Sequence, residues 1–463
     1  MIYLIPALIS FTLGLFIVKA ALKDRMPGLL LSVFLSATLG LGASGLLTFT
    51  SFFLFNQLVP WFVILLNLAV AGTLAIVLHR RGHLKLVFGD TYHAIAGTRT
   101  KLKGNFVHVP EIIIPLLVLA LITFGMFIFA NLYPYGGWDA WGCWNFKARF
   151  LFLGGNEWTR MFDPVLWRHQ ILYPFLLPLI NVWFWSFGST PTYAVPLAMT
   201  CLIPLLTAGL LFSALKELTG KGYMILVPLW ILTNMFTIQL SASQYSDLLL
   251  GLFLLAAMTL FLLFQRTKEP GYMLLMGLVL GMIGFTKVEG EALCVIILVT
   301  ALILIISGTR TKSKDNFVHV PASILGLITA TAIAAIPLVI FLLAYVPHNS
   351  GIFINGITSP DKPASFERLM TIITYYGREF ISTKWTGLWI ALAAVLIFSY
   401  KKCMHRELRI IPIVLGVYVL LFTCTYFVNT FYEIAWWLNT SLNRIIFALI
   451  PMTALWAFLS IDE

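Results

Sequence analysis

The stretch YPYGGWDAWGCWNFKARF, residues 133–150, sets a single carboxylate, Asp139, between Trp138 and Trp141, with Trp144 one turn further on. A carboxylate among aromatic rings is partly desolvated, which suits a general base. A phosphate leaving group needs cations where its charge develops. Lys287, in FTKVEGE, and Arg444, in LNTSLNRIIF, fit that role, with Lys147 and Arg149 as helpers. Trp138, Trp141 and Trp144 offer flat faces for stacking a ring-shaped substrate. His169, Tyr173, Tyr245, Asp247 and Glu289 complete the candidate binding set. Each residue also has a structural reading. The tryptophans fit an interfacial aromatic belt. Lys147 and Arg149 fit side chains snorkelling to headgroups. Asp247 fits a helix cap, Lys287 with Glu289 fits an ion pair in a turn, and His169 fits a hydrogen-bonded interfacial histidine.

The elements that must position these residues are membrane helices. The chain is 60% hydrophobic and 11% charged, with a mean hydropathy of +0.93, a composition that excludes a soluble globular domain. Apolar runs of about 17–24 residues recur along it, the length a helix needs to cross a bilayer. They lack the alternation of a barrel strand. The reading is an all-α polytopic membrane protein with thirteen spans: 2–20, 27–49, 60–79, 112–132, 192–215, 222–240, 247–265, 271–286, 290–307, 322–345, 384–400, 409–428 and 442–459. The first run has no basic segment before it and no clean cleavage site, so it reads as a retained span rather than a signal peptide.

Charge orients the spans. Segments 19–26, 80–104, 216–221, 266–269, 308–315 and 401–409 hold 20 of the 30 Lys and Arg residues and fall on one side if the spans alternate. The positive-inside rule makes that side cytoplasmic, with the N-terminus outside and the C-terminus inside. The net charge of +11 therefore signals orientation, not nucleic acid. Parity requires residues 173–187 not to cross. They read as a re-entrant or interfacial helix, with Trp183 and Trp185 at headgroup level, and loop 133–190 is then wholly external. Loop 346–383 is external too. All the candidate residues lie near this outer level. Two basic segments nearly repeat, GTRTKLKGNFVHVP (97–110) and GTRTKSKDNFVHVP (308–321); they read as surface anchors for anionic lipid headgroups. The five scattered cysteines include no CxxC and support neither a disulfide framework nor a zinc site.

At these residues the chain resembles the GT-C class of membrane glycosyltransferases, the superfamily of protein O-mannosyltransferases and the bacterial aminoarabinose transferase. More closely, it is similar to bacterial polytopic proteins that share a GWDAWxxWNxKARF loop, a YPLLLP segment, a YAD helix start and a TKNEG turn. Here these read Gly137–Phe150, Tyr173–Pro178, Tyr245–Asp247 and Thr286–Gly290, and the TSLNR of Thr440–Arg444 also fits. The matches cover 133–450, so 1–110 reads as a three-helix addition to a core at 111–463. The chain departs from the pattern twice. Leu172 stands where an acid is expected, and Val288 replaces the Asn of TKNEG.

The resemblance implies a GT-C-like fold and a sugar donor on a polyprenyl phosphate in the outer leaflet of the plasma membrane. It implies that Asp139 deprotonates an acceptor hydroxyl, on a glycan, lipid or protein, which attacks the anomeric carbon with inversion. Lys287 and Arg444 hold the lipid phosphate. Transferases of this type generally do without a bound metal; the external acids leave room for a divalent metal without supporting one, and no other cofactor is expected. The other readings are a flippase or transporter of lipid-linked sugars and a cell-envelope polymer ligase or polymerase. A transporter would place its charges nearer the bilayer midplane.

Overall fold

The computed structural model describes residues 2–84, 109–163, 165–166, 170–309, 320–347, 365–430 and 432–462. His169, most of both repeat segments and residues 348–364 of the second predicted external loop lie outside them. Every regular element among the described residues is helical. Among the described residues nine helices are long and apolar enough to cross a membrane, or up to eleven if two bent pairs each form one span. The chain is a multi-pass membrane protein.

The helices α1 (Leu4–Leu22), α2 (Leu29–Phe55) and α3 (Pro60–Arg80) come first. The close crossing of α1 and α2 follows from their small residues. A side chain at Gly14 would strike the Ser36 carbonyl, and one at Gly40 would strike the Ser10 carbonyl. Small residues at such positions let membrane helices approach backbone to backbone. Helix α2 also packs against later elements. Its Gly42 faces Phe253 and Met282, and its Gly45 faces Leu176 and Ile180.

Helix α4 (Val109–Leu132) leads into a π-helical turn, Ala140–Trp144, and then α5 (Asn145–Leu153). Next come α6 (Leu176–Trp185) and α7 (Ala194–Thr219). Helices α8 (Leu226–Thr233) and α9 (Met235–Ala242) meet at 63°. The break is at Asn234, whose side chain caps α9 by accepting from the Phe236 and Thr237 amides at 3.0 and 3.2 Å. Helix α10 (Asp247–Thr267) is the axis of the bundle, buried over its whole apolar window. It packs against α7, α11 (Pro270–Gly284) and α17 (Ile434–Asp462). Between α11 and α17 run α12 (Val288–Thr309), α13 (Val320–Ile340), α14 (Phe366–Phe380), α15 (Leu388–Phe398) and α16 (Ile410–Val428).

Every predicted span has a helix at its position, but not every helix is a full crossing. The 15 residues of α11 reach about 22 Å, short of a hydrocarbon core of about 30 Å. Helices α14 and α15 are bent by 112°, and α14 buries only Ile372.

The segment at 173–187 departs from expectation. Its helix, α6, has ten residues, all buried, so at about 15 Å it does not span. Trp183 and Trp185 do not face lipid headgroups. They are sealed inside the protein, where Trp183 Nε1 donates to Ser10 Oγ at 2.9 Å and Trp185 Nε1 donates to the Thr192 carbonyl at 2.9 Å. An indole satisfied by protein needs no interface.

Described residues of the basic segments gather near the C-terminal end of α10, whose N-terminal end carries Asp247. There Arg25 pairs with Glu269, Asp24 with His83 and Arg266 with Glu407, while the Gly28 amide donates to Glu217. Among the described residues, the charge segregation read from the sequence is thus a segregation in space.

Candidate functional site

The loop after α4 is tied to the bundle by backbone geometry. Gly136 has φ +74°, a conformation that favours glycine. A side chain at Gly137 would collide with the Tyr245 ring. The Gly137 amide donates to the Ser243 carbonyl at 3.0 Å, and Gln244 bridges Asn145 (2.6 Å) and the Pro134 carbonyl (3.0 Å). These contacts bring WDAW onto the start of α10.

Asp139 then meets Arg444. The two form an ion pair, both about five-sixths buried, with the guanidinium carbon 5.0 Å from the centre of the Tyr245 ring. The Tyr245 hydroxyl accepts from the Asp139 amide at 3.4 Å. Burial raises the Tyr245 pKa, and the nearby Asp139 carboxylate adds to the effect. Tyr245 is therefore a neutral wall and hydrogen-bonding group at ordinary pH. Arg444 Nε is buried with no hydrogen-bond partner in the protein, so one donor of the fork remains for a ligand.

A second charged group lies behind this pair. Lys287 Nζ is 2.9 Å from Asp247 Oδ1 and 2.9 Å from Glu289 Oε1, all but enclosed. It also lies 5.8 Å from the centre of the Tyr173 ring. Burial alone would lower the Lys287 pKa, but the Asp247 and Glu289 carboxylates outweigh it and raise the value above that of ordinary lysine. With Asp139 and Arg444 the network has three carboxylates and two cations. One proton delivered to it would balance the charge.

Asp139 and Arg444 line a cavity of about 710 Å³, within the range of small-molecule sites. Trp138, Tyr173 and Tyr245 also line it, as do Leu172 and Val288, the two positions where the sequence departs from the resembled motifs. The wall at 172 is therefore apolar where a second acid is expected. Residues given no site role from the sequence complete the lining, among them Trp436 of α17 and, within the TSLNR segment, Thr440 and Asn443. Their spacing from Arg444 puts them on one helical face, a signal available only once Arg444 was taken as the reference.

Other expected residues are placed elsewhere. Lys147 is 1% exposed and does not line the cavity. Its ammonium donates to the carbonyls of Gln170 (2.6 Å) and Tyr173 (2.7 Å), which fixes the turn into α6. Burial pulls its pKa down to about 8. Arg149 is exposed and outside the cavity lining. Trp144 is 1% exposed and stacks on Tyr173, ring centres 5.2 Å apart and planes within 9°. It braces Tyr173 and presents no open face. Trp138 and Trp141 are half-exposed and pack edge to face at 5.7 Å. Trp138 reaches the cavity and Trp141 is outside its lining. Cys143 is enclosed, and burial pushes its thiol up to about 11, which makes it unreactive. No group of three or more metal-ligating side chains occurs among the described residues.

Comparison of the chain with protein-family models, with curated proteins and with solved structures finds no match.

Proposed function

We propose that this protein is a membrane glycosyltransferase that moves a sugar from a polyprenyl-phosphate donor to an acceptor hydroxyl on the external face of the membrane. The observation that carries the reading is the meeting of Asp139 and Arg444 on the wall of one large cavity. Asp139 takes the proton of the acceptor hydroxyl. The hydroxyl oxygen bonds to the anomeric carbon from the face opposite the phosphate, and the bond from that carbon to the phosphate oxygen breaks. The lipid phosphate leaves with the electron pair, and the configuration inverts. Arg444, with its unpartnered Nε, steadies the charge on the phosphate. The proton taken up by Asp139 brings the buried network into balance. Lys287 acts behind Arg444: it neutralises Asp247 and Glu289, so that they do not compete for the guanidinium.

On this reading the N-terminus and the 133–190 loop face outward in the plasma membrane and the basic end faces the cytoplasm. The fold is GT-C-like, and no metal is required. The deciding experiment is incubation of the purified protein with polyprenyl-phosphate sugars and an extract of envelope glycans, lipids and proteins. Release of the free lipid phosphate, lost in Asp139→Asn, supports the proposal. Release that persists in Asp139→Asn removes the base assignment, and no release from any donor overturns the function. A flippase remains the second reading, favoured by the enclosed Asp247–Lys287–Glu289 group; it predicts movement of a lipid-linked sugar between leaflets with no cleavage.

A further inference from the structure

One side of the cavity is built by α17, whose Trp436, Trp437, Thr440, Ser441, Asn443 and Arg444 all line it. Of these, Trp436, Thr440, Asn443 and Arg444 follow one another as a stripe at helical spacing. Trp436 is 53% exposed, whereas its neighbour Trp437 packs on Tyr426 at 4.8 Å. The start of the helix is fixed by Glu433, whose carboxylate accepts from the Ala435 amide at 2.9 Å and the Trp436 amide at 2.6 Å. The indole is therefore anchored at its backbone, while its ring rests against Tyr432 with the centres 5.1 Å apart and stays half-exposed. Below it, Asn443 Oδ1 is buried without a hydrogen-bond partner. Across the cavity wall stands a second half-exposed indole, Trp138, at 48%.

We infer that this stripe is the acceptor subsite and that the acceptor is an oligosaccharide, held with one sugar on Trp436 and the reacting sugar at Asp139. The inference rests on the glycosyltransferase reading. A pyranose has an apolar C–H face and a polar rim, and the stripe matches it with a half-exposed indole followed by an amide oxygen and a guanidinium. An acyl chain would leave Asn443 Oδ1 and Arg444 Nε unsatisfied in the cavity, at a cost. Trp436 lies about 12 Å along the helix axis from Arg444, further than one sugar ring reaches. A single sugar cannot occupy both ends, whereas a chain of two or three can.

The test is binding of neutral sugars to the full-length protein in nanodiscs without donor, read by tryptophan fluorescence and calorimetry. The probes are glucose, mannose and N-acetylglucosamine, each with its linear β-1,4-linked di- and trisaccharide. The expected result is at least one trisaccharide binding about tenfold or more tighter than its monosaccharide. Trp436→Ala should erase that length dependence and Trp436→Phe should restore part of it. If no trisaccharide binds, or if Trp436→Ala and wild type bind it equally, the inference is overturned. Because no donor is present, the outcome is independent of sugar transfer. Donor cleavage with a lipid or peptide acceptor, unaffected by Trp436→Ala, would sink the subsite and leave the transferase standing.

Discussion

Lys287 and Asp247 are ion-paired at 2.9 Å where neither is more than 3% exposed, and the partners come from the starts of two different helices. A buried cation that satisfies carboxylates on two elements sets how α10 and α12 meet. Removing one member strands the others, typically at about 3–5 kcal/mol. Lys287→Met should therefore lower the thermal midpoint sharply. The double variant Lys287→Met, Asp247→Leu should recover part of the loss, because the stranded charge goes with its partner. Equal midpoints in the single variant and wild type would show that the pair does not hold the helices.

Asp139→Asn keeps shape and hydrogen-bonding capacity but cannot accept the proton. Transfer should fall by about 10²- to 10⁴-fold, the contribution of a positioned general base, with little change in donor affinity. Turnover of a polyprenyl-phosphate sugar measures the first quantity, and equilibrium binding of the donor measures the second. A loss confined to binding would reassign Asp139 to substrate recognition.

Arg444→Lys keeps the charge but loses the planar fork that serves Asp139 on one side and leaves Nε open on the other. Donor affinity should drop by about tenfold or more, since lysine cannot replace a bidentate arginine. Titration with decaprenyl phosphate reads this directly, and unchanged affinity would remove Arg444 from the phosphate site.

Lys147 supplies a pH signature. Its folded-state pKa of about 8 lies below the ordinary value of 10.5, so the folded state binds fewer protons than the unfolded state between those pH values. Its charged form is penalised in full below about pH 8. As pH rises from 8 to 10.5 that penalty is relieved, because a neutral amine still has two N–H groups for the carbonyls of Gln170 and Tyr173. The thermal midpoint of wild type minus that of Lys147→Met should therefore grow across this window. A flat difference would mean that Lys147 stays charged.

The glycine contacts make a steric prediction. A side chain at Gly281 would run into Ala334 of α13, whereas Gly72 has open space around it. Gly281→Leu should destabilise the protein by several kcal/mol through overpacking, with Gly72→Ala close to neutral. Thermal melts of the two side by side check both.

The helices were legible because apolar length is written locally: every predicted span has its helix. The burial of α6 was not. Hydropathy registers apolar side chains but not whether lipid or protein covers them, so Trp183 and Trp185 read as interfacial when they are internal. In the site, the sequence picked out Asp139, Arg444, Tyr245, Asp247, Lys287 and Glu289, which the fold brings together. It anticipated the pairing of Lys287 with Glu289 but not that of Asp139 with Arg444, which are 305 positions apart. Lys147 and Trp144 carried the right chemistry for substrate contact, yet packing assigns them to backbone carbonyls and to Tyr173.

The pairing of Asp139 with Arg444 has a consequence for the resting protein. With Asp139 as the proposed base, its carboxylate is engaged by the Arg444 guanidinium, and a water molecule drifting in would meet an occupied base. A donor phosphate that draws Arg444 toward itself would free Asp139 as it binds. The site would thus be safe against idle hydrolysis while waiting, and armed by the molecule it acts on.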